Sequence, residues 1–290
     1  MYKKQIVVIV IVVIITGYLY TLPVKGLIKP EQADGHTNTT ATQKRPVANV
    51  TVEMVSVASK AIIGQALATQ ISNTEGQLKN AGGGVQKLSL QKQLAKRWDD
   101  VNQAAPAAFY YQAIALEENT FDSWSKAGSR FNDAYSAVQD TVQQPAFVNN
   151  AIDCYTNALK LQPANLDAKT GLGVAYVNGF SLGIGQDGGG PPKGVVLLLE
   201  VVQQDPKNIN ANLNLGKFAV TSHQYEKAVE RFKTVIAQKA MPDAYFYLAE
   251  SYKQLGMKKE AIDAYQKCRA IVTDAAFDKQ IDEYIKELKN

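Results

Sequence analysis

Cysteine and histidine are almost missing from this 290-residue chain, with two of each: Cys154, Cys268, His36 and His223. Two cysteines cannot frame a disulfide scaffold, and no Cys-x-x-Cys pair occurs. A zinc site built from His and Cys would need all four residues to converge, so no metal is expected. With so few histidines no Ser/His/Asp arrangement is credible. Carboxylate pairs such as Asp99-Asp100 and Glu117-Glu118 are common on solvated helix faces, and nothing marks either as catalytic. An excess of basic charge is missing as well. The formal net charge is +4. Residues 1–50 hold six basic side chains against two acidic ones. The remainder therefore carries 25 basic (31 less 6) and 25 acidic (27 less 2). A nucleic-acid footprint needs clustered positive charge, and the bulk of the chain has no surplus to supply it.

What is present begins with a long apolar run. Gln5 to Val24 contains no charge and centres on Ile6-Val7-Val8-Ile9-Val10-Ile11-Val12-Val13-Ile14-Ile15. About 20 apolar residues cross a bilayer as a helix. Tyr18 and Tyr20 sit where interfacial aromatics collect. Thr16-Gly17-Tyr18-Leu19 fits a signal-peptidase site poorly, and no cysteine follows for lipidation. Residues 1–28 are therefore expected to be an uncleaved transmembrane anchor. Lys3 and Lys4 precede it, and Lys25 and Lys29 follow it. The amino terminus adds one positive charge, which favours an N-in orientation with the bulk of the chain outside. Residues 29–48 are polar without apolar periodicity and read as a linker. Over 49–86, Val55, Ile62, Ala66, Leu67, Ile71 and Leu78 suggest one amphipathic helix ahead of Gly82-Gly83-Gly84. That helix would serve as an N-terminal cap or as a dimerising coiled coil.

A repeat follows. Leu215-Gly216, Ala219, Ala228, Phe232 and Val235 recur as Leu248-Ala249, Tyr252, Ala261, Tyr265 and Cys268, and Ala228 and Ala261 lie one period of about 33 residues apart. Leu172-Gly173, Tyr176, Gly194, Leu198 and Val201 form an earlier copy, and Trp124, Ala127-Gly128, Phe131, Ala151, Tyr155 and Ala158 another. Leu94-Ala95, Trp98, Ala107, Tyr111 and Ile114 form a degenerate first one. Large residues at helical spacing make one buried stripe per helix. Ala and Gly mark the points where two helices cross closely. Extra residues lie within two copies, at Tyr135 to Asn150 and at Ser181 to Lys193, both at the turn inside a helix pair. The second includes Gly183-x-Gly185-x-x-Gly188. A dinucleotide site needs a strand before such a string and a helix after it, so this one reads as a loop. Cys268 shares its repeat position with Ala158, Val201 and Val235, which makes it a packing residue. Asp274, Phe277, Ile281, Tyr284, Ile285 and Leu288 predict a capped terminal helix over 274–290.

This pattern resembles the tetratricopeptide repeat family over residues 87–273. The resemblance implies an all-α fold: a right-handed α-solenoid of about five helix–turn–helix units with a C-terminal capping helix, here preceded by one transmembrane helix. It also implies that the first helices line a groove for an extended peptide. The matching positions are Asp122, Ser125, Ser129 and Asn132; Asp167, Thr170 and Asn178; Asn210, Leu213 and Lys217; and Asp243, Phe246 and Glu250. Asn, Ser and Thr both donate and accept hydrogen bonds, which suits a peptide backbone. Leu213 and Phe246 would be apolar anchors. The lysine/asparagine clamp of chaperone-binding members is absent. The expected protein is a non-enzymatic scaffold or adaptor of the bacterial inner membrane, presenting its groove to envelope proteins in the periplasm. It would need no cofactor and bind no nucleic acid or small-molecule substrate, and it could form a homo-oligomer. A cytosol-facing receptor and a self-associating structural scaffold are the alternatives.

Overall fold

A computed structural model describes residues 49–185 and 192–289, all within the unit Gln43–Asn290. Among the described residues there are 13 helices and no strand. The apolar segment 5–24 lies outside them. Among the described residues, no helix is long and apolar enough to cross a membrane.

The helices come in antiparallel pairs: α3 (Gly84–Asp100) with α4 (Ala104–Glu118), α5 (Phe121–Ala137) with α6 (Gln144–Leu161), and α7 (Leu166–Phe180) with α8 (Lys193–Gln204). These are followed by α9 (Ile209–Thr221) with α10 (Tyr225–Ile236) and α11 (Pro242–Gln254) with α12 (Lys258–Ile271). A final helix, α13 (Ala275–Lys289), packs on α12. Each helix also packs on the next, and first helices touch first helices: α5 on α7, α7 on α9 and α9 on α11. Neighbouring first helices therefore form the inner layer of the stack.

The boundaries follow from local chemistry. Thr120 and Ser123 cap α5 reciprocally, with Ser123 N–H donating to Thr120 Oγ1 at 3.2 Å and Thr120 N–H to Ser123 Oγ at 3.3 Å. Gln162-Pro163-Ala164-Asn165 and Asp205-Pro206-Lys207-Asn208 make the same turn twice. In each, the asparagine caps the next first helix by accepting an N–H three residues on, from Ala168 and from Ala211, both at 3.0 Å. Proline stops the preceding helix because it has no N–H to give. Asp274 caps α13, accepting from Ala276 N–H at 2.8 Å and Phe277 N–H at 2.9 Å.

The small residues of the repeat sit at helix crossings. A Cβ on Gly194 would lie 2.5 Å from the Gly173 carbonyl oxygen, so α7 and α8 meet backbone to backbone. The Tyr155 ring is wedged against Gly128 and Gly171, and Phe232 against Gly216. Around these crossings Trp98, Phe131, Phe147, Leu198, Phe232 and Tyr265 are fully buried. Each such large side chain is worth about 1.5–3 kcal/mol of burial. Most of the first set of extra residues is helical: α5 and α6 run 17 and 18 residues, against 13 and 12 in α9 and α10. Of the second, residues 181–185 form a turn.

The segment 49–86 departs from the expected single helix. It forms α1 (Val52–Lys60) and α2 (Gln65–Asn80), broken at Gly64, whose φ of +81° suits glycine alone. Of the expected stripe, Val55 and Ile71 are buried, while Ile62, Ala66 and Leu67 are exposed. Helix α1 packs on α4 and α2 on α3. Glu75 of α2 ties that helix to α1 and α4, accepting from Ser56 Oγ at 2.5 Å, Lys60 Nζ at 2.6 Å and Tyr110 Oη at 3.3 Å.

Replacing Gly194 with alanine gains about 1 kcal/mol of helix propensity but drives a methyl group into the Gly173 carbonyl. Overpacking of this kind costs about 1–3 kcal/mol, and here the obstacle is backbone. Gly194→Ala is expected to lower the urea midpoint, whereas Gly76→Ala, mid-helix with open space around it, should raise it.

Candidate functional site

The face formed by α5, α7, α9 and α11 holds the candidate groove residues, and repeat register places equivalent positions alike. Asp122, Asp167, Asn210 and Asp243 each occupy the second position of a first helix, and all four are exposed. Carboxylates there meet the unsatisfied N–H groups and the positive end of the helix dipole, worth about 0.3–1 kcal/mol each. They form a polar, mostly acidic row along one edge of the face.

Deeper positions are already engaged. Asn132 donates from Nδ2 to the Gly171 carbonyl at 3.0 Å, tying α5 to α7, and Tyr135 Oη donates to the Asn178 carbonyl at 3.1 Å. Thr170 is buried and returns its hydroxyl to the Leu166 carbonyl at 2.7 Å. Ser129 lies against the Tyr155 hydroxyl, Ser125 is half-buried and Ser129 exposed. Lys217 pairs with Asp243 at 2.9 Å and lies over the Tyr247 ring, 5.3 Å from its centroid. Lys253 repeats this one unit on, pairing with Glu287 at 3.4 Å over Tyr284 at 5.5 Å. Glu250 accepts from the Tyr265 hydroxyl. At the other end Asp99 gathers Tyr111 Oη at 2.8 Å, Arg130 Nε at 2.9 Å and Lys126 Nζ at 3.4 Å.

The two expected apolar anchors are not free. Leu213 is only 8% exposed, within the core around Phe232 and Leu248. Phe246 is half-buried among Tyr247, Tyr265 and Tyr284, at ring-centroid distances of 5.6, 6.0 and 6.2 Å. One edge of Phe246 still lines a cleft of about 320 Å³ with Asp243, Tyr247, Phe277 and Gln280. The lysine–carboxylate pairs across first helices escaped a reading by single positions. Their signal is the period itself: Lys217 and Lys253, and Tyr247 and Tyr284, stand about one repeat apart.

Among the described residues no cluster of three or more His, Cys, Asp or Glu could hold a metal ion. Among the described residues no strand precedes Gly183, which follows α7 in a turn. Cys154 and Cys268 are free and fully buried. Burial pushes their thiols up, to about 12 and about 11, which suppresses the reactive thiolate.

Comparison of the sequence with curated proteins gives no match. A tetratricopeptide repeat profile matches residues 242–274, the unit of α11 and α12. Among solved structures the chain is similar to TTC0263, a thermophilic tetratricopeptide protein of Thermus thermophilus. The identity is 16% and the TM-score 0.50, over 69% of this chain and 98% of that one. It is also similar to MamA from Desulfovibrio magneticus RS-1 (17%, TM-score 0.46, 66% and 96%) and to another MamA structure (18%, 0.44, 61% and 93%). The first likeness shows the fold: the chain contains a tetratricopeptide repeat and stacks its helix pairs as a tetratricopeptide solenoid does.

Burial first, then the hydrogen bond to Glu250, raises the Tyr265 phenol above its ordinary value, and burial does the same at Tyr110, Tyr111 and Tyr155. The folded chain thus holds these protons more tightly than the unfolded one. Their contribution is intact below the ordinary tyrosine value of about 10 and is lost as pH climbs beyond it. The Tm is expected to fall steadily above about pH 10, and Tyr265→Phe should make that fall shallower.

Proposed function

We propose that this chain is a non-enzymatic scaffold that holds an extended segment of a partner protein along the face of α5, α7, α9 and α11. The observation that carries the reading is the row of exposed polar side chains repeated in register on that face. A bound strand gains main-chain hydrogen bonds from side chains spaced one repeat apart. The edge is acidic, so the segment it fits is neutral or basic. The deeper lysine–carboxylate pairs set a cost, because a ligand must match them or leave them closed.

The uncharged run from Gln5 to Val24 supports a second part of the proposal: an N-terminal anchor in the bacterial inner membrane, with the repeat unit in the periplasm and partners in envelope assembly. An anchor confines the search to the membrane plane and raises the effective concentration of membrane partners.

A photo-crosslinker at Ser129 or Asn210 is expected to capture a protein from source cells, and the same group at Glu226 or Lys259 on the second helices is not. Equal capture at both faces would sink the groove reading. Orientation is read separately. Thr40→Cys should react with a membrane-impermeant maleimide in intact spheroplasts, while the wild type, with both thiols buried, stays unlabelled. Labelling only after lysis would place the repeat unit in the cytosol.

A further inference from the structure

Helix α1 presents its apolar side outward. Met54, Val57, Ala58, Ala61 and Ile62 follow the i, i+3, i+4, i+7, i+8 spacing of one helical stripe. The helical sense persists past Lys60, since Ile62 N–H donates to the Ser59 carbonyl at 3.2 Å. All five are exposed, Met54, Val57 and Ile62 by 52%, 67% and 71%. The side turned inward carries Val55, Ser56 and Ser59. The opposite end of the stack does the reverse: α13 buries Ile281, Ile285 and Leu288 and turns its charges out. Beside the stripe, Met54, Ala58 and Ile62 form one wall of a cleft of about 400 Å³, with Ala105, Ala137 and Val138 among the other lining residues. An apolar stripe bordered by an apolar cleft marks an interaction surface.

We propose that this surface is covered by a second copy of the same chain, α1 against α1 in antiparallel two-fold contact. In an isologous contact residue i meets residue j of the other copy and j meets i, and residues on the two-fold axis meet themselves. A charged centre would repel its own image, and the five stripe residues carry none. The flanking charges fix the direction. Glu53 and Lys60 are seven residues apart and so lie on one flank of the helix. Antiparallel pairing brings that flank against its own image, reversed, which sets Glu53 of each copy by Lys60 of the other. Lys60 gives one ammonium hydrogen to Glu75 and one to Ser72, and a third remains. Ala58 and Ala61 are small enough for close helix approach, and the cleft can receive Met54 and Ile62 of the other copy. A lipid surface fits less well. The adjoining α2 holds only Lys79 and Glu75 as charges, without the basic excess that draws an interfacial helix to headgroups.

The test uses the full-length chain in mild detergent, with the detergent contribution subtracted from light scattering. Twice the 31.6 kDa chain mass is expected. Val57→Glu should halve it with helical content unchanged, and Glu53→Lys should weaken association several-fold. Under a mild oxidant Ala58→Cys is expected to give a chain-to-chain disulfide, whereas Leu116→Cys, 68% exposed on α4, is not. Wild-type mass of a single chain would overturn the proposal, as would a dimer indifferent to Val57→Glu. So would a single-chain mass with Val57→Cys shielded from maleimide, which would assign the covering to detergent, lipid or residues 1–48.

Discussion

The backbone-to-backbone approach of α7 and α8 at Gly173 and Gly194 is the constraint on which the stack depends. Two helices separated by one side-chain layer pack through large residues. Two helices this close leave room for no Cβ, and the large residues are displaced to either side of the crossing. Tyr155 against Gly128 and Gly171, and Phe232 against Gly216, repeat the arrangement with a ring in the space that glycine leaves. The pairs with glycine thereby gain a close crossing, and the first and last pairs carry buried alanines, Ala95, Ala107, Ala249 and Ala261, at the matching offsets. The solenoid is the accumulation of that step.

Close spacing in the inner layer has a second effect. First helices stand close enough for polar side chains to pair across units, with one or both partners still open to solvent. Asp99 holds Arg130 and Lys126, Asn132 reaches the Gly171 carbonyl, Lys217 holds Asp243 and Lys253 holds Glu287. The surface that could hold a peptide is the surface that the fold uses to join its units. The outer row, Asp122, Asp167 and Asn210, and with it Ser125 and Ser129, makes no such pair across units in the contacts described above. The two ends of the stack also differ. At the C-terminus α13 hides its apolar side on α12, while α1 packs on the core beside α4 through Val55 and leaves its larger apolar stripe uncovered.

The all-α class, the number of pairs and the capped terminal helix were legible because each rests on local chemistry. Proline and asparagine set the turns, the 3.6-residue period sets the stripes, and Gly or Ala at fixed offsets sets the crossings. Gly64 interrupts a stripe from Val55 to Leu78 whose spacing is otherwise that of one helix. A glycine in a helical pattern marks a break only when φ is positive, and the sequence does not state φ. Asp122, Asp167 and Asn210 fall on the exposed edge because register alone places the second residue of each first helix there.

Leu213 and Phe246 are closed both from within their own repeats and from the next element. Leu213 shares a core with Phe232 of its own unit and Leu248 of the next, and Phe246 lies by Tyr265 of its own unit and Tyr284 of α13. From Gly84 onward the sequence by itself determined the helices, their pairing and their order, since those follow from spacing and caps within about one repeat. The tertiary structure alone decided which polar residues neutralise one another across units and which face of α1 is left bare. Those depend on how far apart two helices stand, a distance set by the packing of every side chain between them.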